Sequence, residues 1–210
     1  MATPRPRTRR KDARPTELLE AALDTFRAKG FAATRMEDIA ARAGVSKGTI
    51  YLYYPSKLAI FEALVRANLL PNLDRMEAAL AAFPGSAADG LRLVARSLAA
   101  VTAQPRLVAV PKLVLAEAGN FPELARFYRH EVVGRGLALV AGIISRGIAA
   151  GEFREVDPEL AARLFFAPVI LAALWQTTFA AIEESPVAPS ELLSLHLDLL
   201  LRSLAPEQAG

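Results

Sequence analysis

Residues 34–64, TRMEDIAARAGVSKGTIYLYYPSKLAIFEAL, decide how the chain is read. Thr34 and Glu37 stand at the T-x-x-E spacing of a capping box, in which the threonine oxygen accepts an orphan backbone N–H and the glutamate reaches back. A short helix over Arg35–Ala43 follows, and Gly44 ends it because glycine enters the left-handed turn region without strain. Ser46 is placed to cap a second short helix, Lys47–Tyr54; Pro55 stops that one, and Ser56 caps another beginning at Lys57. Two short helices joined at a glycine are the material of a helix-turn-helix. Ala40 is small enough for close approach, and Ile39, Val45 and Ile50 are spaced to meet between the helices.

Three of the four tyrosines, Tyr51, Tyr53 and Tyr54, occupy this segment, and helical phase separates their roles. At about 100° per residue, Ile50 and Tyr54 share one face, while Gly48, Tyr51 and Leu52 face away with Lys47 and Thr49 at the margins. Tyr54 is therefore a packing residue. The outward set suits a DNA groove: a cation and hydroxyls for phosphates or base edges, a glycine for close approach, and a leucine for a thymine methyl. A helix of this length is a rod of about 12 Å, comparable to the width of the major groove. Lys57, in the first turn of the next helix, adds charge to free backbone N–H groups and reads as a phosphate clamp. Upstream, Leu19, Ala22, Leu23 and Phe26 mark a first helix from Thr16, with Gly30 at its C-cap.

The span from Thr16 to Val65 resembles, without gaps, the DNA-binding head of the TetR family of bacterial transcriptional regulators. That resemblance puts Thr34, Ser46, Lys47, Gly48, Thr49, Tyr51, Tyr53 and Lys57 where family members touch DNA. Leu52 stands where histidine is frequent, which bears on operator preference, and Tyr54 where phenylalanine is usual. The resemblance also implies a homodimer on a palindromic operator and a body that senses a small molecule.

Charge agrees with a nucleic-acid partner for one end. Residues 1–60 hold 12 Lys and Arg against 6 Asp and Glu, whereas residues 61–210 hold 13 against 16. A basic head on a mildly acidic, apolar body assigns a polyanion to the head and another partner to the body. Residues 1–14, with Arg5, Arg7, Arg9, Arg10, Lys11 and Arg14 among prolines, read as a flexible basic arm able to lie along DNA. Cysteine is absent, which excludes disulfides and thiolate sites and leaves a cytoplasmic address as the default. The apolar run Leu164–Trp175 has 12 residues, short of the roughly 18 of a spanning helix, so it reads as a buried helix and no membrane partner is expected.

The rest of the chain is helical by pattern, giving an all-α fold: a three-helix head over residues 15–65 and a ligand-binding and dimerisation domain over 66–210. After breaks at Pro71 and at FPGSAADG, helices are expected over Leu91–Thr102, Arg106–Glu117, Pro122–Ala150, Pro158–Ile182 and Ser190–Leu204. The last helix carries two apolar stripes, Leu192/Leu195/Leu199 and Leu193/Leu197/Leu200/Leu204. A monomer cannot bury both, so the last two helices are expected to pair with a partner's copies as a four-helix bundle. Trp175, Gln176, Phe179, Glu117 and His130, aromatic or polar groups in apolar helices, are candidate pocket residues for an apolar or aromatic effector. No cofactor or metal is implied, and catalysis fares poorly. His130 and His196 form no H-x-x-x-H pair, and Ser194, His196 and Asp198 alternate along one helix and face apart. The expectation is a ligand-released dimeric repressor. Its rivals are a constitutive DNA-bound dimer whose body recruits a protein and a membrane-associated sensor.

Overall fold

The computed structural model describes residues 14–185 and 187–206; the expected basic arm, apart from Arg14 at its end, lies outside the described residues. The chain divides into two compact units, residues 1–64 and 65–210. Among the described residues every regular element is helical.

In the first unit, α1 (Arg14–Ala33), α2 (Met36–Arg42) and α3 (Lys47–Tyr53) precede α4 (Lys57–Asn68), which runs on past Leu64. Leu18, Ala22, Phe26, Phe31, Ile39, Ile50, Ile60 and Phe61 are buried almost completely. Phe31 holds the centre, tilted against Phe26 at 5.3 Å and edge-on to Phe61 at 6.1 Å between centroids. Gly30, at φ 77°, kinks α1 and lets Phe31 turn inward. The cap of α2 differs from expectation by one residue. Arg35 is the N-cap and Asp38, rather than Glu37, accepts its backbone N–H at 3.0 Å. Thr34 instead donates its hydroxyl back to the Gly30 carbonyl at 2.6 Å. At the other end, Gly44 has φ 65°, with its N–H on the Ala41 carbonyl and Val45 N–H on the Ala40 carbonyl. Those are the two bonds of a Schellman turn, which aims α3 away from α2.

The second unit holds α5 (Leu70–Ala81), α6 (Ala87–Thr102), α7 (Pro105–Glu117), α8 (Pro122–Tyr128), α9 (Arg135–Ala149), α10 (Pro158–Thr178) and α11 (Pro189–Leu204). A π-helical turn, Arg129–Gly134, joins α8 to α9. α5 corrects the expected break at Pro71: that proline sits in the first turn, where its missing N–H is no loss. Similarly, Ser86 caps α6 within the supposed FPGSAADG break, accepting Asp89 N–H at 3.0 Å. Leu91, Val94, Val140, Ile143, Ile144, Ala162, Phe165, Leu200 and Leu204 form the core. Arg135 ties α9 to α5 through Glu77 and through Asp74 at 2.6 Å.

α10 serves three faces, which explains why it is apolar all round. Ala161, Ala162, Phe165, Pro168, Ala172 and Ala173 are buried, whereas Leu160, Leu164, Leu171 and Trp175 form an exposed stripe. Pro168 cannot donate to the carbonyl four residues back, that of Leu164. His196 of α11 hydrogen-bonds that carbonyl instead. On α11 the Leu193/Leu197/Leu200/Leu204 stripe is buried, while Leu195 and Leu199 remain exposed. By length and composition alone, two helical runs, Pro122–Ala149 and Pro158–Thr178, are long and apolar enough to cross a membrane.

Candidate DNA-recognition surface and cavity

α3 is fixed at its start by Ser46, whose Oγ accepts Thr49 N–H at 3.1 Å and pairs with Thr49 Oγ1 at 2.8 Å. Ile50 anchors it from beneath. With that face committed, Lys47, Gly48, Tyr51, Leu52 and Tyr53 are exposed together, Leu52 to 83%. Tyr54 is half-buried past the end of α3, and burial pushes its phenol up. Gly48 has an ordinary φ, and a methyl built there would meet only Ser46 Oγ at 3.9 Å. Nothing inside the unit therefore requires a glycine. Lys47 Nζ bridges to Glu37 Oε1 of α2 at 2.6 Å, and this bond lowers the carboxyl and raises the ammonium from their ordinary values. Pattern reading passed over Glu37 as a surface group because it was assigned to the cap.

Two further residues assigned to DNA are engaged within the unit. Lys57 Nζ donates to the carbonyls of Phe31 at 2.7 Å, Ala32 at 3.0 Å and Thr34 at 3.3 Å. It also lies 4.7 Å from the centroid of the Phe31 ring. Its three N–H donors thus close the last turn of α1, the place where a cation best offsets the helix dipole. As described, Lys57 caps α1 and presents no free donor for a phosphate. Thr34 is likewise buried, with its hydroxyl turned inward.

The second unit holds a partly open cavity of about 530 Å³, walled by residues of α5, α6, α7, α8, the π turn, α9 and α10 together with Leu69. Leu98, Val101, Val108, Val133, Leu137 and Val169 make most of it apolar, and Asn72, Ser97, Thr102, Tyr128, Arg129 and Arg163 add the polar groups. Burial pushes the Tyr128 phenol far above its ordinary value, so it remains a neutral donor. None of the five residues expected from sequence lines this cavity. Trp175 and Phe179 continue the exposed stripe of α10, their ring centroids 5.0 Å apart and planes tilted by 57°, with Trp175 Nε1 donating to Glu183 at 2.7 Å. Gln176 is exposed beyond the cavity's last α10 residue, Ala173. Glu117 is buried in α7 about a third of a turn out of phase with the wall residues Leu107, Val108 and Pro111. The His130 side chain is 86% exposed beside Glu131. The wall residues of α7 and α10 sit in helices the sequence reading chose but at other phases, while those of α5, α6 and α9 belong to helices it did not draw on.

Comparison with known proteins agrees with both units. Residues 18–64 match the family described as bacterial regulatory proteins, TetR family, and residues 89–192 match the AefR-like transcriptional repressor C-terminal domain. The transcriptional repressor KstR2 of Rhodococcus jostii is 30% identical over 190 residues, spanning 90% of this chain and 91% of that protein. The transcriptional regulator RutR of Escherichia coli K12 is 32% identical over 167 residues, 73% and 70% of the two chains. Among solved structures, FadR of Bacillus subtilis in complex with stearoyl-CoA aligns at a TM-score of 0.75 and 25% identity, over 90% of this chain and 98% of that one. The exposed face of α3 is thus the outer face of a known DNA-binding module, and the chain belongs to the TetR family of helix-turn-helix transcriptional regulators, which are not enzymes.

Proposed function

We propose that this regulator is a cytoplasmic, homodimeric repressor that holds a palindromic operator until a lipophilic effector fills its cavity. The observation that carries the reading is the 530 Å³ cavity itself, inside the range of about 300–1,000 Å³ common for small-molecule sites and walled mostly by aliphatic side chains. The binding of stearoyl-CoA by FadR, a relative of the same fold, supports a ligand with an apolar chain. The dimer reading rests on the stripe of Leu160, Leu164, Leu171, Trp175, Leu195 and Leu199, exposed on the last two long helices. Pairing them with a partner's copies buries both faces as a four-helix bundle and accounts for the apolar outer face of α10, one of the two runs apolar enough to suit a membrane. In the head, Lys47, Gly48, Tyr51, Leu52 and Tyr53 are the groups we assign to the major groove, with Ser46 and Thr49 fixing the start of the reading helix.

The test is to select operator sites from random DNA and titrate apolar ligands found by thermal shift, measuring operator affinity and oligomer mass together. An effector should release DNA while the dimer persists. A tightly bound ligand that leaves operator affinity unchanged, or releases DNA only by splitting the dimer, refutes the reading.

A further inference from the structure

Two charged residues line the cavity, Arg129 and Arg163; no aspartate or glutamate is among its lining residues. We propose that these two arginines form an anion-binding end, so that the effector is an amphiphile: an apolar chain carrying a carboxylate or comparable anionic head. This rests on the reading above that the cavity is the effector site.

Arg129, which opens the π turn, and Arg135, which follows it at the start of α9, have different fates. Arg135 is committed to Glu77 and Asp74, whose hydrogen bonds raise its pKa further above an already high value. Arg129, six residues earlier, makes no ion pair or hydrogen bond among the described residues. Its guanidinium folds back over the π turn, where a methyl built on Gly134 would come within 2.9 Å of Nη1. The missing side chain at 134 leaves that place open. Arg163 gives one N–H to the Glu159 carbonyl of its own helix at 2.9 Å and stands 3.7 Å from the Glu159 carboxylate. That pair is an exposed i,i+4 contact of small worth, and a guanidinium has five N–H donors, so several remain for a ligand.

Two cations beside aliphatic walls and with little counter-charge set the sign of what binds. Both arginines are exposed, so water screens part of their field, and an arriving anion gains a charge-assisted contact to donors otherwise left to water while its chain fills the aliphatic interior. A cationic ligand meets the opposite field. A neutral chain fills the same volume without the electrostatic gain. Tyr128 offers a neutral hydroxyl in the same wall.

The experiment compares laurate, dodecanol and dodecyltrimethylammonium on the full-length protein by calorimetry, each below its aggregation limit. Laurate should bind at least about tenfold more tightly than dodecanol, the gain of one charge-assisted contact, and the cation should bind most weakly. In the double variant Arg129→Gln/Arg163→Gln the preference for laurate should vanish while dodecanol affinity stays within about twofold. Arg129→Lys/Arg163→Lys, which keeps the charges, should retain most of the preference. Equal affinity of laurate and dodecanol in the unaltered protein overturns the anionic head and leaves the apolar effector site standing, as does equal loss of both in a folded glutamine variant. Failure of all three probes to bind overturns both readings. If the glutamine variant does not fold, the ratio measured on the unaltered protein decides alone.

Discussion

Gly48→Ala separates the demands of folding from those of DNA recognition, because the structure gives them opposite signs. Gly48 lies in the first turn of α3 with an ordinary backbone conformation, and its added methyl has no neighbour closer than Ser46 Oγ at 3.9 Å. Alanine costs less conformational entropy than glycine in a helix by up to about 1 kcal/mol, and a first-turn position retains roughly half of that. The head should therefore become more stable by about 0.5 kcal/mol, seen as a higher midpoint of chemical denaturation. On DNA the same methyl projects from the face formed by Lys47, Tyr51 and Leu52. If that face enters the groove, overpacking costs about 1 kcal/mol per subunit, and the two copies of a dimer together weaken the operator about 30-fold. Fluorescence anisotropy on a selected operator measures the second effect, and denaturation of the same sample the first. A variant that unfolds more easily would show that Gly48 is needed within the head. One that is more stable yet binds the operator as well as before would refute docking through this face.

Lys57→Ala should lower the stability of the head by about 1–3 kcal/mol by leaving three carbonyls at the end of α1 without their donor, while the slope of log affinity against log salt stays the same. If Lys57 instead clamps a phosphate in the complex, stability holds and the slope flattens by about two, one per subunit. His196 is the third case: burial lowers its pKa, opposed by its bond to the Leu164 carbonyl, and Nε2 is buried without a partner. The unfolded chain therefore takes up the proton first, so stability should fall as pH drops from about 6.5 through the depressed folded value, with no loss above that window. His196→Asn, whose amide can still donate to the carbonyl, should flatten that dependence in melts at pH 5 to 8, and an unchanged slope would exonerate His196. Finally, Leu164→Glu/Leu199→Glu should shift the mass in sedimentation from dimer to monomer and abolish operator binding at concentrations where the parent is saturated. Persistence of the dimer would remove this stripe as the interface.

What could be read from the sequence was what repeats or caps locally. The two leucine stripes of α11 follow from period alone, and the structure buries one while leaving Leu195 and Leu199 exposed. Gly44 and Ser46 act where their chemistry puts them, because a left-handed turn and an N-cap are decided within four residues. Lys57 was not legible: its partners lie 23 to 26 residues earlier, and no local rule reports a carbonyl brought there by the fold. α5 was missed because Pro71 was taken as a stop, although a proline in a first turn is a start. The cavity was misplaced for a different reason. Conspicuous aromatics were followed instead of phase, and Trp175 shares its face with Leu164 and Leu171, not with Phe166 and Val169. The π turn is a further obstacle. It rotates everything before it against everything after, so a wheel drawn from Pro122 to Ala149 at a constant angle assigns Arg129 and Leu137 to the wrong relation.

The energetics of release can be bounded from these parts. α4 begins with the lysine that closes α1 and ends at Asn68, one residue before Leu69 in the cavity wall, so the chain passes from the head to the proposed effector site with no intervening loop. A ligand that binds the two states equally moves nothing, however tight it is. Taking the operator-competent state from 99% to 1% requires a total preference of about 10⁴, and two identical cavities in a dimer divide it into about 100-fold each. That is about 2.7 kcal/mol per cavity, within the worth of a charge-assisted hydrogen bond made in one state and absent in the other. The apolar walls can supply affinity in both states alike, whereas a head group reaching Arg129 or Arg163 in only one of them supplies the difference. By linkage, operator DNA must then weaken the effector by the same factor per site, so an acid that binds free protein and complex equally cannot be the ligand that works the switch.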